Sequence, residues 1–236
     1  MRASIRTALL PLCVAGLACS RLPGPAGGPA GAGAVGTGAV STVDSTRAAE
    51  TDAPPSGGWV SLFDGRTLTG WRASEHPATF RVEHGAIVVH GPRAHLFYDG
   101  PAIGRGLVDF ELTADVLTRP GANSGIFLRT AFQPTGWPSQ GYEVQVNNSQ
   151  SDWRRTGSLY AVQDVREAGR DDAWFTLHTI VRGRRVRVLV DGRPVVDYTE
   201  PAGSATRLTG GTIALQGHDP GSEVHYRNVM LRRLAP

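Results

Sequence analysis

From Trp59 to Leu234 the chain is a succession of short runs in which apolar and polar residues alternate, and this period of two constrains the fold more than any other feature. The runs are "WVSLF", "TFRVE", "AIVVH", "VDFELTADV", "SGIFLRT", "GYEVQVN", "FTLHTIV", "RVRVLV", "GTIALQ" and "VHYRNVML". Turn signals separate them, such as "DGR" at Asp64, "EHG" at Glu83 and a second "DGR" at Asp191. Successive side chains of a strand point to opposite faces, so each run reads as a strand with one apolar face. No stretch reads as an amphipathic helix longer than two turns. Many short strands at this spacing predict an all-β fold, an antiparallel β-sandwich or jelly roll. No internal repeat of the kind that builds a propeller is present.

The first residues have a different texture. Arg2 and Arg6 precede an apolar run that ends in small residues before Cys19, which reads as a secretory signal over residues 1–18 and is too short for an ordinary spanning helix. The run "GLACS" is similar to a lipobox, with Cys19 as the lipid attachment residue; plain cleavage after Ala18 is the alternative. Residues 19–57 are rich in Gly, Ala, Pro, Ser and Thr and cannot bury a core, so they read as a disordered tether. The expected organisation is therefore a signal peptide, a tether and a β-sandwich domain over 58–236. Such a chain is exported, either periplasmic or anchored to the outer membrane by its lipid alone. Both cysteines, Cys13 in the leader and Cys19 directly after it, lie ahead of the domain, which therefore has no disulfide and relies on core packing.

Several function classes drop out at once. All 24 basic residues are arginine, so a Schiff-base lysine or a P-loop lysine is excluded. A formal net charge of +3 gives no ground for a nucleic-acid partner. The basic run "RGRRVRVLVDGR" alternates, with Val186, Val188 and Val190 inward and Arg185 and Arg187 outward, which reads as a solvated hairpin face. No GxSxG or HExxH motif occurs, and His218, Asp219, Glu223 and His225 have no recognised metal spacing.

Four strand-like segments carry polar groups among apolar ones. In "GANSGIFLRT", Phe127 and Arg129 lie opposite Ile126 and Leu128, so Arg129 is expected on an exposed or concave face. In "GYEVQV", Glu143 and Gln145 lie opposite Tyr142, Val144 and Val146. "TGSLYAVQDV" offers Thr156, Tyr160 and Gln163, and the last segment offers Gln216, His218 and Arg227. A sugar site needs directed hydrogen bonds and an apolar platform, and Trp137, Trp153, Trp174 or Tyr160 could supply the platform. Ordinary polar-out alternation accounts for the same pattern.

The order "SLFDGRTLTGW", "ANSGIFLR", "GYEVQV", "TGSLY" and "GTIALQGHD…VHYRNVML" resembles the 3-keto-disaccharide hydrolase domain family, over about Trp59 to Leu234. The resemblance implies a concanavalin-like jelly roll and cleavage of small glycosides or oligosaccharides already oxidised at C3. A C3 ketone acidifies the C2 proton; its removal gives an enolate, which expels the C1 aglycone and leaves an unsaturated keto sugar to which water can add. On this chain the resemblance implies Glu143 as the base at C2, His218 as the acid at the glycosidic oxygen, and Arg129 as the cation at the enolate oxygen. Arg227 is the alternative cation, and Asn123, Gln145, Tyr160 and Gln216 would orient hydroxyls. A divalent metal ion at the keto oxygen could replace Arg129, with Glu143 as its ligand. An upstream sugar 3-oxidase is implied as the source of the ketone. The rival expectation is a non-catalytic surface carbohydrate-binding module, which the same fold would serve.

Overall fold

The computed structural model describes residues 57–235. The expected signal peptide, the expected lipid attachment residue Cys19 and the expected tether, as far as residue 56, lie outside the described residues. Among the described residues, thirteen strands and two single 3-10 turns make up the regular structure. In chain order the strands are β1 Val60–Ser61, β2 Trp71–Ala73, β3 Phe80–Glu83, β4 Ala86–His90, β5 Ala94–Tyr98, β6 Phe110–Thr118, β7 Ser124–Thr130, β8 Tyr142–Val146, β9 Phe175–Arg182, β10 Arg185–Val190, β11 Arg193–Thr199, β12 Thr212–Gly217 and β13 Glu223–Arg233. They form an eight-stranded sheet in the order β11-β10-β9-β6-β13-β4-β3, with β1 paired to β13, and a five-stranded sheet in the order β2-β5-β12-β7-β8. Every pairing is antiparallel. The fold is thus an all-β sandwich of jelly-roll type.

The turn signals act as the sequence suggests. The hairpin from β3 to β4 turns at His84 and Gly85, with φ of 49° and 77°, and that from β10 to β11 at Asp191 and Gly192, with φ of 49° and 76°. Two consecutive left-handed residues match the right-handed twist of the flanking strands, and glycine takes the second place without steric cost. Val186 and Val188 are fully buried, while Arg185 pairs with Asp197 on the outer face, as the alternation requires.

The core lies between the sheets. Leu96, Ile126, Leu128, Val144, Ile213 and Leu215 from the smaller sheet meet Ile87, Phe110, Leu112, Leu177 and Val224 from the larger one. The opposite face of the smaller sheet departs from a simple solvated surface: β5, β7 and β12 are buried on both sides. Phe97, Ala214 and Phe127, which are cross-strand neighbours, form a second apolar cluster there. The loop after β7 covers part of it, with Phe132 edge-on to Phe97 at 5.2 Å and Trp137 edge-on to His95 at 5.6 Å. What the loop leaves uncovered is a cleft on this face.

Candidate functional site

Strand register places the site. Outside the core, His95 of β5 is paired with Gln216 of β12, and Gly125 of β7 with Gln145 of β8. In the neighbouring row Phe97 pairs with Ala214, Ala214 with Phe127, and Phe127 with Glu143. Side chains from three strands therefore converge on one patch, which floors a cavity of about 330 Å³. That lies at the lower end of the range for small-ligand sites, ~300–1,000 Å³. Asn123, Phe127, Trp137, Glu143, Gln145 and Gln216 line it, with Asp152, Tyr160, Arg207 and His218 around them.

Glu143 is reached across a neighbouring strand. Gln216 Nε2 donates to Glu143 Oε1 at 2.7 Å, although β7 lies between their strands. The crossing is open because residue 125 is glycine: a Cβ there would stand 2.3 Å from Glu143 Oε1 and 2.8 Å from its Cγ. Gln145, with its amide nitrogen turned toward acceptors, donates to Glu143 Oε1 and to the Ser124 carbonyl, both at 3.2 Å. Burial of the carboxyl pushes its pKa up to about 7; the Gln216 amide opposes this shift and the nearby Asp152 charge adds to it. A carboxyl poised there holds or releases a proton near neutral pH, as a general base needs.

His218 stands on the turn after β12, beside Trp137, with ring centroids 5.4 Å apart. Its Nδ1 lies 2.6 Å from Asp219 Oδ2, which leaves Nε2 as the ring nitrogen for the cleft. Burial would raise the Asp219 carboxyl, but hydrogen bonds from His218, Ser222 and the Gly221 N–H outweigh it and hold the group below the usual carboxylate range. On another side of the cleft, Tyr160 donates to Asp152 at 3.2 Å. Burial and the Asp152 charge raise the Tyr160 pKa, so its hydroxyl stays protonated. His95, beneath Trp137, is pulled down to about 4 by burial and is neutral.

The structure brings together Glu143, Gln145, Gln216, His218, Asn123 and Tyr160, all named from the sequence. It does not bring Arg129 to them. Between the pairs Phe127–Ala214 and Thr130–Thr212, β7 has one residue more than β12, a β-bulge, and Arg129 takes a left-handed φ of 50°. The bulge breaks the alternation on which the exposed placement depended. Arg129 is 1% exposed and donates to the carbonyls of Leu208 at 2.7 Å, Gly183 at 3.1 Å and Val108, and to Asp109 at 3.0 Å. Its guanidinium ties loops together and does not reach the cleft. Arg227 is also elsewhere: it lies on β13 of the larger sheet, 3.5 Å from Asp115 and stacked 3.9 Å over Trp174. Of the proposed platforms, Trp137 lines the cleft, Trp174 does not, and Trp153 stacks with Arg154 and Arg166. Thr156 is buried and bonded to Asn148 rather than lining the site.

Sequence reasoning missed Asp152 and Arg207; it set Phe127 beside Arg129 on an exposed or concave face, and Phe127 does line the cleft. Arg207 lies outside any strand, 4.3 Å over the Tyr142 ring, while its backbone N–H donates to Glu200 at 2.7 Å. No periodicity could have pointed to it. As for a divalent ion, no three His, Cys, Asp or Glu side chains gather among the described residues as a metal-ligating group. The neighbours of the Glu143 carboxylate are the amides of Gln216 and Gln145. These residues do not form a ligand set for a divalent ion.

The sequence over residues 58–232 matches the profile of the 3-keto-alpha-glucoside-1,2-lyase-like domain. No curated protein matches the chain. Among solved structures, it is similar to a Parabacteroides distasonis ATCC 8503 protein with a provisional glycosyl hydrolase name: 21% identity, covering 75% of this chain and 94% of that one, with a TM-score of 0.63. A second such protein from the same organism is 18% identical, covers 75% of this chain and 100% of its own, and has a TM-score of 0.60. The carbohydrate-binding module CBM66 from Bacillus subtilis is 14% identical over 69% of this chain and 95% of its own, with a TM-score of 0.53. At these identities the structural likenesses show a shared fold. The family match spans almost the whole sandwich, and the chain belongs to the 3-keto-alpha-glucoside-1,2-lyase-like domain family, a carbohydrate-related group.

Proposed function

We propose that the domain cleaves 3-keto-glycosides by removing the C2 proton and expelling the C1 aglycone. The observation that carries this reading is Glu143, a partly buried carboxyl braced by two amides at the floor of a sugar-sized cleft, with its pKa near 7. Glu143 takes the C2 proton. The electron pair left behind is held as an enolate on the C3 oxygen; as C3=O re-forms, the pair makes the C1=C2 bond, the C1–O bond breaks, and His218 Nε2 gives its proton to the leaving oxygen. Gln216 and Gln145 keep the carboxylate in place, Asn123 and Tyr160 orient hydroxyls, and Trp137 stacks on the ring. Arg207, which lines the cleft, takes the enolate-stabilising role that Arg129 cannot fill. The ketone comes from an upstream sugar 3-oxidase. Export and lipid attachment at Cys19 rest on the sequence alone; palmitate labelling abolished by Cys19→Ser would test them.

A second reading, a carbohydrate-binding module, draws on Trp137, which is 45% exposed at the cleft beside three amides. The two readings separate when the purified protein meets 3-keto-glucosides bearing a chromogenic aglycone, with the unoxidised glucosides alongside and with and without chelator. Aglycone release from the keto forms alone, lost in Glu143→Gln, supports the lyase chemistry. Binding of intact oligosaccharides without release refutes it in favour of the module.

A further inference from the structure

We propose that Asp219 is a positioning residue that locks His218 so that one nitrogen, Nε2, acts first as proton donor and then as proton acceptor, making the hydrated 3-keto sugar the end product. This inference rests on the keto-glycoside reading above. The pair is built rather than incidental. His218 Nδ1 and Asp219 Oδ2 are 2.6 Å apart, the Gly221 N–H donates to Asp219 Oδ1 at 2.8 Å, and Ser222 Oγ donates to Asp219 Oδ2 at 2.8 Å. Ser222 Oγ in turn accepts the Asn123 N–H at 2.9 Å, so the carboxylate is tied to another wall of the same cleft. The strand end that presents the pair is itself held close: a Cβ on Gly217 would stand 2.6 Å from Thr79 Cγ2.

A carboxylate at Nδ1 fixes both the ring orientation and the tautomer. Protonated, His218 offers Nε2–H to the leaving oxygen. After that proton is given up, the remaining Nδ1–H stays with Asp219 and the lone pair lies at Nε2. The departing aglycone therefore leaves behind a base at the side of C1 it has just vacated. A water entering there gives a proton to Nε2 as its oxygen bonds to C1. The C1=C2 pair then takes back at C2 the proton held by Glu143. Glycoside plus water becomes 3-keto sugar plus free alcohol, with Glu143 and His218 restored and nothing oxidised or reduced.

The test follows a 3-keto-glucoside in D2O and in 18O-labelled water, with the full protein and its Asp219→Asn variant. The wild type is expected to yield 3-keto-glucose carrying 18O at C1 and, at C2, protium returned by Glu143 together with deuterium where the Glu143 proton has exchanged with solvent. In the variant, the Gly221 N–H keeps the side-chain oxygen and turns the amide NH2 toward Nδ1, which forces the proton to Nε2. Hydration then slows by up to about 10,000-fold, the loss seen when an orienting Asp changed to Asn leaves the geometry intact but imposes the wrong tautomer, and the unsaturated keto sugar accumulates, visible by its ultraviolet absorbance. A wild type that stops at the unsaturated sugar, or a variant that hydrates as fast as the wild type, overturns the proposal. Nitrogen-15 NMR of His218 without substrate reads the lock independently of turnover: the Nδ1–H tautomer in the wild type supports it, and a mixture of tautomers overturns it. No aglycone release from any keto substrate, with the Nδ1–H tautomer intact, means that the keto-glycoside reading has failed, and this inference with it.

Discussion

Changing Glu143 to Gln removes one titrating group and alters almost no shape, because the amide oxygen can still accept from Gln216 across Gly125. The folded carboxyl holds its proton up to about pH 7, raised by burial from 4.5. In the unfolded chain it releases that proton near 4.5. Between those values the folded state binds more protons than the unfolded one, so wild-type stability falls as pH rises through the window. At about 1.4 kcal/mol per pH unit, the full penalty above pH 7 is roughly 3 kcal/mol. Glu143→Gln does not bear it. The variant should therefore match the wild type near pH 4 and exceed it by up to about 3 kcal/mol at pH 8, roughly 6–12 °C in Tm for a domain of this size. Urea and thermal melts of both proteins at intervals from pH 4 to 8 measure the difference, from which all other titrating groups cancel. Parallel stability curves would refute the reasoning, since they would mean that the carboxylate is solvated and its pKa ordinary. Activity should show the opposite trend: cleavage is lost in the variant at every pH.

Gly125→Ala should cost about 10- to 100-fold in kcat with a small stability change, because the new Cβ occupies the space of the Glu143 carboxylate without straining the backbone; steady-state kinetics on a keto-glucoside would check this. Arg129→Met should lose about 3 kcal/mol or more by leaving Asp109 without its cation and three carbonyls without the guanidinium donor, while the folded fraction keeps its KM within about twofold; equal stability would remove the structural role given to this residue. Trp137→Ala should raise KM by about tenfold, with a Tm within a few degrees of the wild type, as expected for loss of a partly exposed stacking surface worth about 1 kcal/mol.

Local pattern determined much of this molecule. The period of two and the punctuation at His84–Gly85 and Asp191–Gly192 specified an all-β chain, because side-chain alternation and left-handed turn residues are properties of a few neighbouring positions. The same alternation put Glu143 and Gln145 on one face of β8, as found. It passed over β5, "AHLFY", which is buried on both faces and so carries no polar alternation. It misplaced Arg129, because a bulge depends on the partner strand and not on β7 itself. Tertiary structure alone decided which polar groups meet. Gln216 reaches Glu143 only because register brings β12, β7 and β8 side by side with a glycine at the crossing, and Arg207 joins the cleft from a segment with no periodic signal. Contacts between residues some seventy positions apart are set by strand order and register, and nothing within either segment encodes them.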